Sequence, residues 1–471
     1  MTRPIAPGSD ASAPEPGGRA FPARFVAPLV WGAALNPINS SILATSLVAI
    51  ATAFDVPPGR TATLVAAVYV TSAVAQPAAG KLAVAFGPRR VFLAGLGVVT
   101  VAGVIGALAP AFGWLIVSRV LIGLGTAVGN PTAMMLIRRR ADRLGTGVPG
   151  PVLGAMSIAA QVTAALGLPL GGVLVGLWGW RAVFAVNLPL GVIGILLALA
   201  WVPRDEPIPA GLREPGALAR ALDPAGIALF AGTIVALIVF LQDVRNPTWW
   251  LLGLSIVCAA ALVVWERRSP DPFLDVRMLA RNGPLVRTYT RQFLTQTAMY
   301  LVLYGYVQWL EQGRGLAASA AGLVLLPMTA VGAIGSALVS RKALVRGPLV
   351  ASALVVLAGG LVLLAVDGTT PLWALVALSL LFGLVTGLTG VANQAAMYAQ
   401  TDAAGIGVAA GLLRTSTNLG AIASSAALGF VFTSAASDAG LHTVALLIAG
   451  LGALVLALVL ADRRIPRRAS V

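Results

Sequence analysis

Long apolar segments recur along the whole chain, and they constrain its fold more than any other feature. Each has about 20 residues, the length that an α-helix needs to cross the hydrocarbon core of a bilayer. Only 10% of the 471 residues are charged, whereas about 25% is usual in a soluble domain. We therefore predict an all-α integral membrane protein whose main partner is the lipid bilayer. Proline, glycine and charge delimit fourteen spans, over residues 24–52, 62–82, 90–111, 113–137, 149–176, 180–202, 223–243, 248–265, 286–311, 317–340, 346–366, 370–398, 402–434 and 440–462.

Basic residues are distributed unequally between alternate loops. If the N-terminus is cytoplasmic, 25 of the 32 Lys and Arg residues lie in cytoplasmic segments and 4 lie outside. This positive-inside pattern predicts a multi-pass protein of the plasma (inner) membrane with both termini cytoplasmic. The net charge of +15 then reflects topology and anionic lipid, and we expect no nucleic-acid partner.

Residues for enzymatic or metal chemistry are scarce. Cys258 is the single cysteine and His442 the single histidine, so the sequence offers no disulfide framework, histidine-based triad or metal-ligand cluster. It also lacks a phosphate-binding loop of the G-x-x-x-x-G-K-[ST] type. We expect neither an enzyme nor a cofactor, and no direct use of ATP.

Two loops in the two halves of the chain resemble each other. "KLAVAFGPRRV" at 81–91 and "RKALVRGPLVA" at 341–351 share Ala, Gly and Pro at an offset of 260 residues. Chance is the alternative, but the equivalent position of the loops favours a repeat of two bundles with a binding site between them. The predicted organisation is a disordered cytoplasmic N-terminus (1–23), a six-helix bundle (24–202), a linker (203–222), an inserted helix pair (223–265), a second linker (266–285), a second six-helix bundle (286–462) and a basic tail (463–471).

Several segments match the motifs of one family. They are the loop at 80–90, similar to G-x-L-A-D-R-x-G-R-R; Arg119 with Gly123 and Gly125, similar to R-x-x-x-G-x-G; "GLPLGG" at 167–172; "WRAVFAVNLPLG" at 180–191, similar to W-R-x-x-F-x-x-N-x-P-x-G; and "ERRSPDPFLDVRML" at 266–279. With these motifs the chain resembles the major facilitator superfamily, specifically its fourteen-helix drug:proton antiporter branch. The resemblance covers the chain from about residue 24, and it implies the major facilitator fold and efflux of drug-like compounds (multidrug resistance) in exchange for protons.

Two positions depart from the family pattern. Asn39 stands where the family usually has Asp in helix 1, and Val84 stands where its loop has Asp. An amide does not exchange a proton near neutral pH, and a valine forms no ion pair. Proton coupling is therefore open at this point, and a facilitator or importer without proton coupling is the alternative.

Polar side chains form stripes on two spans. In the first, Asn36, Asn39 and Ser40 share about a third of the helix circumference; we expect them to face a passage for the substrate, with hydrogen bonding between neighbouring helices as the alternative. In the ninth, Gln296, Tyr300, Tyr304 and Glu311 share one face and suit an amphipathic solute, with a cluster of interfacial tyrosines near the outer surface as the alternative. The candidate substrate-binding residues are Asn36, Asn39, Ser40, Arg119, Gln161, Gln296, Tyr300, Tyr304, Asn393 and Arg414.

Ionisable residues within spans are further site candidates, because their burial is expensive. Arg119 and Arg414, without an acidic residue inside the first six spans, favour a neutral or anionic solute over a cation. We expect Arg291 to extend its charge to the inner surface. Glu311 and Asp243 are the candidates for a protonatable coupling group, although either can be an ordinary interfacial carboxylate.

Glycines and the basic loop complete the set of candidates. We assign a gating role to Gly80, Gly87, Arg89 and Arg90. Small-residue spacings that let helices approach closely predict packing roles for Gly125, Gly129, Gly167, Gly171 and Gly172. These features together predict a monomeric secondary transporter that exports a small amphipathic organic compound by alternating access. A non-transporting membrane receptor is a further alternative.

Overall fold

The chain forms helices wherever the sequence predicts a span. The computed structural model describes residues 20–56, 58–207, 223–242, 247–270, 272–316, 318–342, 344–402, 405–432, 436–462 and 465. Within these ranges the chain is helical and contains no β-strand, in agreement with the all-α prediction.

The helices of the first part of the chain are α1 (Ala23–Ala44), α2 (Leu47–Ala53), α3 (Pro58–Phe86), α4 (Pro88–Ala107), α5 (Phe112–Ala127), α6 (Gly129–Arg143), α7 (Gly150–Trp178), α8 (Arg181–Ala185) and α9 (Asn187–Trp201). Those of the second part are α10 (Pro224–Gln242), α11 (Trp249–Glu266), α12 (Val276–Arg281), α13 (Gly283–Tyr300), α14 (Ala318–Lys342), α15 (Arg346–Leu363), α16 (Leu372–Ala399), α17 (Ile406–Val431) and α18 (Asp438–Ala461). After α13 the chain continues in π-helical turns over Leu301–Tyr306 and Trp309–Gly313.

Eleven helical stretches among the described residues are long and apolar enough to cross a membrane. The long helices α1, α13 and α17 are not among them. Their sequences contain strongly polar residues at depth, such as Asn39, Arg291 and Arg414. Exposure of such polar groups to the hydrocarbon core of a membrane has a high free-energy cost, so we expect these three helices to lie in the protein interior.

Some predicted spans are interrupted helices. The first breaks at Thr45 and Ser46, whose hydroxyls donate to the backbone oxygens of Ile42 (2.9 Å) and Leu43 (2.8 Å). Such local bonds compete with the regular helical ones. The ninth span changes from α-helix to π-helix after Tyr300, and π-helical turns are frequent at functional sites.

The two halves of the chain repeat the same packing pattern. In the first bundle (α1–α9), α1 packs on α7, α3 on α5, and α4 on both α5 and α9. In the second bundle (α13–α18), α13 packs on α17, α14 on α16, and α15 on both α16 and α18. Each contact in one bundle corresponds to a contact between helices in equivalent order in the other, as the predicted repeat requires.

The bundles meet along two lines of contact, which we call the α3–α17 seam and the α7–α14 seam. The remaining long helices, α10 and α11, form a hairpin whose α10 contacts α3 and α17. Phe230, Ile234 and Ile238 of α10 bury their side chains in a cluster with Ala73 of α3. The hairpin therefore covers the outer surface of the α3–α17 seam.

The apolar cores differ between the two ends of the bundles. We call the end with Arg89 and Lys342 the basic end and the opposite end the distal end. At the basic end one core cluster contains residues of both bundles, for example Met134 and Ala392. At the distal end each bundle has a core cluster of its own. The bundles are thus joined at the basic end and separate at the distal end.

Candidate functional site

Small residues bring α3 and α17 together over the basic half of their seam. Glycine at position 80 permits this approach, because a Cβ there would collide with the backbone of Gly407. Nearer the middle, Thr415 Oγ1 donates to the backbone oxygen of Ala73 over 2.7 Å. Gly80, predicted in a gating loop, is therefore a contact point between the bundles.

The α7–α14 seam is held by serine, glycine and one amide. Gly154 lies against Ser340, and the hydroxyls of Ser157 and Ser336 are 3.1 Å apart. Gln161 Nε2 donates to Ser336 Oγ over 3.0 Å. Gln161, predicted as a substrate contact, thus links the two bundles at the middle of the seam.

Beyond Gln161 the α7–α14 seam opens towards the distal end. Three glycines border this opening: Gly172 and Gly176 of α7, and Gly322 of α14. A Cβ added at any of them would meet no neighbouring atom within 4 Å. The packing role predicted for Gly172 is wrong in this structure, since its face of α7 borders open space. A gap between the bundles therefore begins near mid-helix and widens distally.

A further contact closes the basic end. The Tyr398 hydroxyl of α16 donates to the backbone oxygen of Met134 in α6 over 2.7 Å. Tyr398 is 5% exposed, so this bond between the two bundles is shielded from solvent. Buried bonds of this kind stabilise the joined arrangement of the basic end.

Three phenols and one guanidinium lie between the bundles, and we call them the phenol–arginine cluster: Tyr69, Tyr300, Tyr304 and Arg414. Tyr304 lies close to Tyr69 of the other bundle, and the rings of Tyr300 and Tyr304 are 5.5 Å apart. The Arg414 guanidinium lies near Tyr300 and Tyr69. Because Tyr69 belongs to the first bundle and the other three to the second, the cluster bridges the gap at its base.

The sequence interpretation missed Tyr69. At helical periodicity it shares one face of α3 with Ala73 and Gly80, the face that α17 contacts. A stripe of small residues that ends in one large polar residue was the available signal. Its partner across the gap is visible only in the folded chain.

Two arginines near this cluster have no acidic partner. Arg119 is 2% exposed, donates from Nε to the backbone oxygen of Leu64 (3.1 Å) and interacts electrostatically with Tyr69. Arg414 Nε is buried without a hydrogen-bond partner. The ion pairs among the described residues involve neither arginine. Since arginine stays protonated in proteins, the base of the gap is positively charged.

The stripe on α1 is used largely for contacts within the first bundle. Asn36 Nδ2 donates to Thr126 Oγ1 of α5 (3.0 Å) and to a serine hydroxyl of α3 (3.2 Å). Asn39 is 4% exposed and donates to the backbone oxygen of Leu35 (2.9 Å). The bonds of Asn36 match the interhelical alternative, whereas the bond of Asn39 stays within α1. Ser40 is half-buried, and its hydroxyl has no partner among the described residues.

A polar network fills the basic half of the second bundle. Arg291 is fully buried, and it donates from Nε to Asn393 Oδ1 (3.1 Å) and from Nη2 to Thr288 Oγ1 (3.0 Å). Asn393, 1% exposed, donates to Gln292 Oε1 over 2.7 Å. The expectation that Arg291 reaches the surface is wrong, because the side chain is fully buried and two of its nitrogens bond to these polar groups. Asn393 is likewise part of this network and does not border the gap.

The remaining polar candidates lie on or near α13. Gln296 is half-buried, with its Cβ close to Gly420 of α17. Glu311 is half-buried in the distal π-helical turn, next to the fully buried Trp309. Asp243 lies outside the described residues.

The basic loop is organised by a carboxylate that sequence reasoning did not single out. Gly87 has a φ of +96°, a conformation that favours glycine. Asp205 accepts from the backbone N–H groups of Arg89 (3.1 Å) and Arg90 (2.8 Å), where the helix dipole of α4 favours negative charge. Val84 is 45% exposed. Asp205 thus holds this loop within the first bundle.

The other predicted packing glycines do lie at close helix contacts. A Cβ at Gly125 would collide with α4, and one at Gly129 would collide with the backbone of α1. Gly167 and Gly171 face α1 in the same way. These four glycines therefore have the close contacts that their spacing suggests.

Comparison with known proteins agrees with this architecture. The sequence pattern described as "Major Facilitator Superfamily" matches residues 29–425. The chain is 33% identical to the uncharacterized MFS-type transporter YwoD of Bacillus subtilis, over 87% of this chain and 90% of YwoD. It is 29% identical to the tetracenomycin C resistance and export protein of Streptomyces glaucescens, over 78% and 68% of the two chains.

A solved structure shows the same fold at low sequence identity. The proton:xylose symporter XylE superposes with a TM-score of 0.66 at 13% identity, over 96% of this chain and 98% of XylE. Two packed bundles with a gap between them, the matched family pattern and the similarity to YwoD lead to one assignment. The chain belongs to the Major Facilitator Superfamily.

Proposed function

We propose that this chain is a secondary transporter that exports a small amphipathic organic compound across the plasma membrane by alternating access. The observation that carries the proposal is the gap, because the bundles touch at one end only and a polar, aromatic cluster lies where their contact stops. A compound bound there would touch both bundles at once. The export direction and the class of compound are supported by the relative named a resistance and export protein.

The orientation follows from the charge distribution. We place the basic end in the cytoplasm by the positive-inside rule, so that the gap opens to the outside. The three polar helices α1, α13 and α17, added to the eleven apolar stretches, give fourteen spans, with the α10–α11 hairpin as an inserted pair. The described arrangement is then the outward-facing member of an alternating-access cycle.

Proton exchange is the finer part of the proposal, and we assign it to Glu311. Its half-buried carboxylate lies in the π-helical turn at the distal end of the bundle, where it can take up a proton from outside. An uncoupled facilitator is the second candidate function. It is favoured by Asn39 in place of an acid and by a phenol–arginine cluster that, among the described residues, contains no carboxylate.

Transport in proteoliposomes tests the proposal and separates its alternatives. The purified chain would be assayed with a panel of fluorescent amphiphiles, with an imposed pH gradient and after an ionophore dissipates it. We expect gradient-dependent flux that is lost in Glu311→Gln and kept in Asp367→Asn, a control at an exposed carboxylate in a loop. Flux that ignores the gradient would indicate the facilitator, and binding without flux would reject transport.

A further inference from the structure

Hydrogen-bond donors without partners lie on one face of α17 at the base of the gap. Arg414 and Asn418 are one helical turn apart and point in about the same direction. Arg414 Nε and Asn418 Nδ2 are both buried and have no hydrogen-bond partner. A buried donor left unpaired destabilises the fold, so native structures rarely keep such groups without a ligand or water to satisfy them.

The surrounding groups add positive charge and further donors. Tyr69 and Tyr300 lie near Arg414, and each phenol O–H can donate a hydrogen bond. Arg119 supplies a second positive charge behind Tyr69. The ion pairs among the described residues leave both arginines without a carboxylate. What this environment lacks is an acceptor with negative charge.

A carboxylate supplies what is missing. Its two oxygens accept two parallel bonds from a guanidinium, a geometry specific to arginine. The rings of Tyr300 and Tyr304, 5.5 Å apart, provide an aromatic surface for the apolar part of the same molecule.

We infer that Arg414, with Tyr69, Tyr300 and Asn418, binds the carboxylate of an amphipathic organic anion. That this anion is the transported compound rests on the proposed function, whereas its binding does not. The location also relates binding to movement, because Thr415, the residue after Arg414, bonds to the backbone of α3. An anion held by Arg414 of α17 and Tyr69 of α3 would draw the two bundles together there.

Three matched probes test the charge preference on the whole chain. Dansylglycine carries a carboxylate, its methyl ester is neutral, and dansyl-ethylenediamine carries an ammonium group. Binding to the purified protein in detergent would be measured by the change in dansyl fluorescence. A hydrogen bond to a charged group contributes about 1.5–3 kcal/mol, so we expect dansylglycine to bind about 10- to 100-fold more tightly than the ester. Equal affinities for the two would overturn the inference.

Variants assign the preference to the arginine. In Arg414→Gln the carboxylate should bind no better than the ester, and Arg414→Lys should show an intermediate ratio because it keeps the charge without the planar fork. Ser416→Ala, a control on another face of α17 whose hydroxyl bonds only to its own helix, should leave the ratio unchanged. If Arg414→Gln does not fold, Tyr69→Phe must lower the ratio several-fold instead. A folded Arg414→Gln with the wild-type ratio would contradict the assignment.

Flux of the same probes separates this inference from the proposed function. Selective binding of dansylglycine with no flux of any probe would keep the site and reject the transporter. Flux of the ester and the ammonium probe without binding of dansylglycine would keep the transporter and reject the site.

Discussion

The two ends of the molecule are built from the same helices but make different contacts. At the basic end, α3 meets α17 at Gly80 and Gly407, and one apolar cluster includes both bundles. At the distal end the bundles have separate clusters, and Gly172 of α7 faces open space. We infer that contact between the bundles depends on small residues that face each other across a seam, since backbones can approach closely only where side chains are small.

We therefore expect substitutions at the contacts of the basic half to impair stability or transport, and substitutions at the distal positions to have little effect. Substitutions that add or remove a single group at each end test that contrast.

Substitution of Arg291 should lower stability the most, because this side chain links α13 to Asn393 of α16 in the basic half. Arg291→Gln deprives Asn393 Oδ1 and Thr288 Oγ1 of a charged donor and should lower the apparent free energy of unfolding by about 2–3 kcal/mol. Thermal unfolding in detergent, followed by tryptophan fluorescence, measures it. Arg138→Gln breaks only an exposed pair with Asp142 and should cost less than about 0.5 kcal/mol. Equal losses in the two variants would contradict the internal network.

Adding one methyl group at each end should give opposite results. Gly80→Ala places a Cβ against the backbone of Gly407, and overpacking of this kind costs about 1–3 kcal/mol. We expect it to disfavour the closed basic end and to slow transport about tenfold or more. Gly172→Ala meets open space and should leave transport intact, with a small gain in helix stability. Proteoliposome flux measures both, and a loss in Gly172→Ala alone would reverse the comparison.

Removing one hydroxyl should have a smaller effect at the basic end. Tyr398→Phe deletes the bond to the Met134 backbone, worth about 0.5–1.5 kcal/mol, and keeps the ring. We expect a roughly threefold to tenfold shift towards the arrangement that is open at the basic end. Labelling of a cysteine introduced at Ala396, which is fully buried in the shared cluster of the basic end, would report this as faster modification in a Cys258→Ala background. An unchanged rate would show that the bond does not contribute to closure.

The sequence predicts the helices better than their neighbours. Apolar length and Gly-Pro turns place α4 and α15 correctly, because crossing a bilayer fixes both length and punctuation. Helical periodicity puts Asn36 and Asn39 on one face, but it cannot say whether that face meets the gap or another helix. Their hydrogen bonds within the first bundle decide this.

Tyr69 and Arg291 illustrate the same limit from opposite sides. Tyr69 has no polar stripe to mark it, and its role depends on Tyr304, which is distant in the chain and adjacent in space. Arg291 lies close enough to a helix end to suggest a surface position, yet it is fully buried and bonds to Asn393 of another helix. Long-range partners of single polar residues are not encoded in local periodicity.

The most direct test of the central claim measures both ends of one molecule at once. Spin labels would be placed at Leu177 and Leu323, both 67% exposed near the distal end, and in a second sample at Thr146 and Lys342, exposed at the basic end, with Cys258→Ala as background. Pulsed electron–electron double resonance gives the distance between the two spin labels of each pair. If binding closes the gap, dansylglycine should shorten the distance at the distal end and lengthen the distance at the basic end. Both distances staying fixed, or both changing in the same direction, while the probe is bound would contradict it.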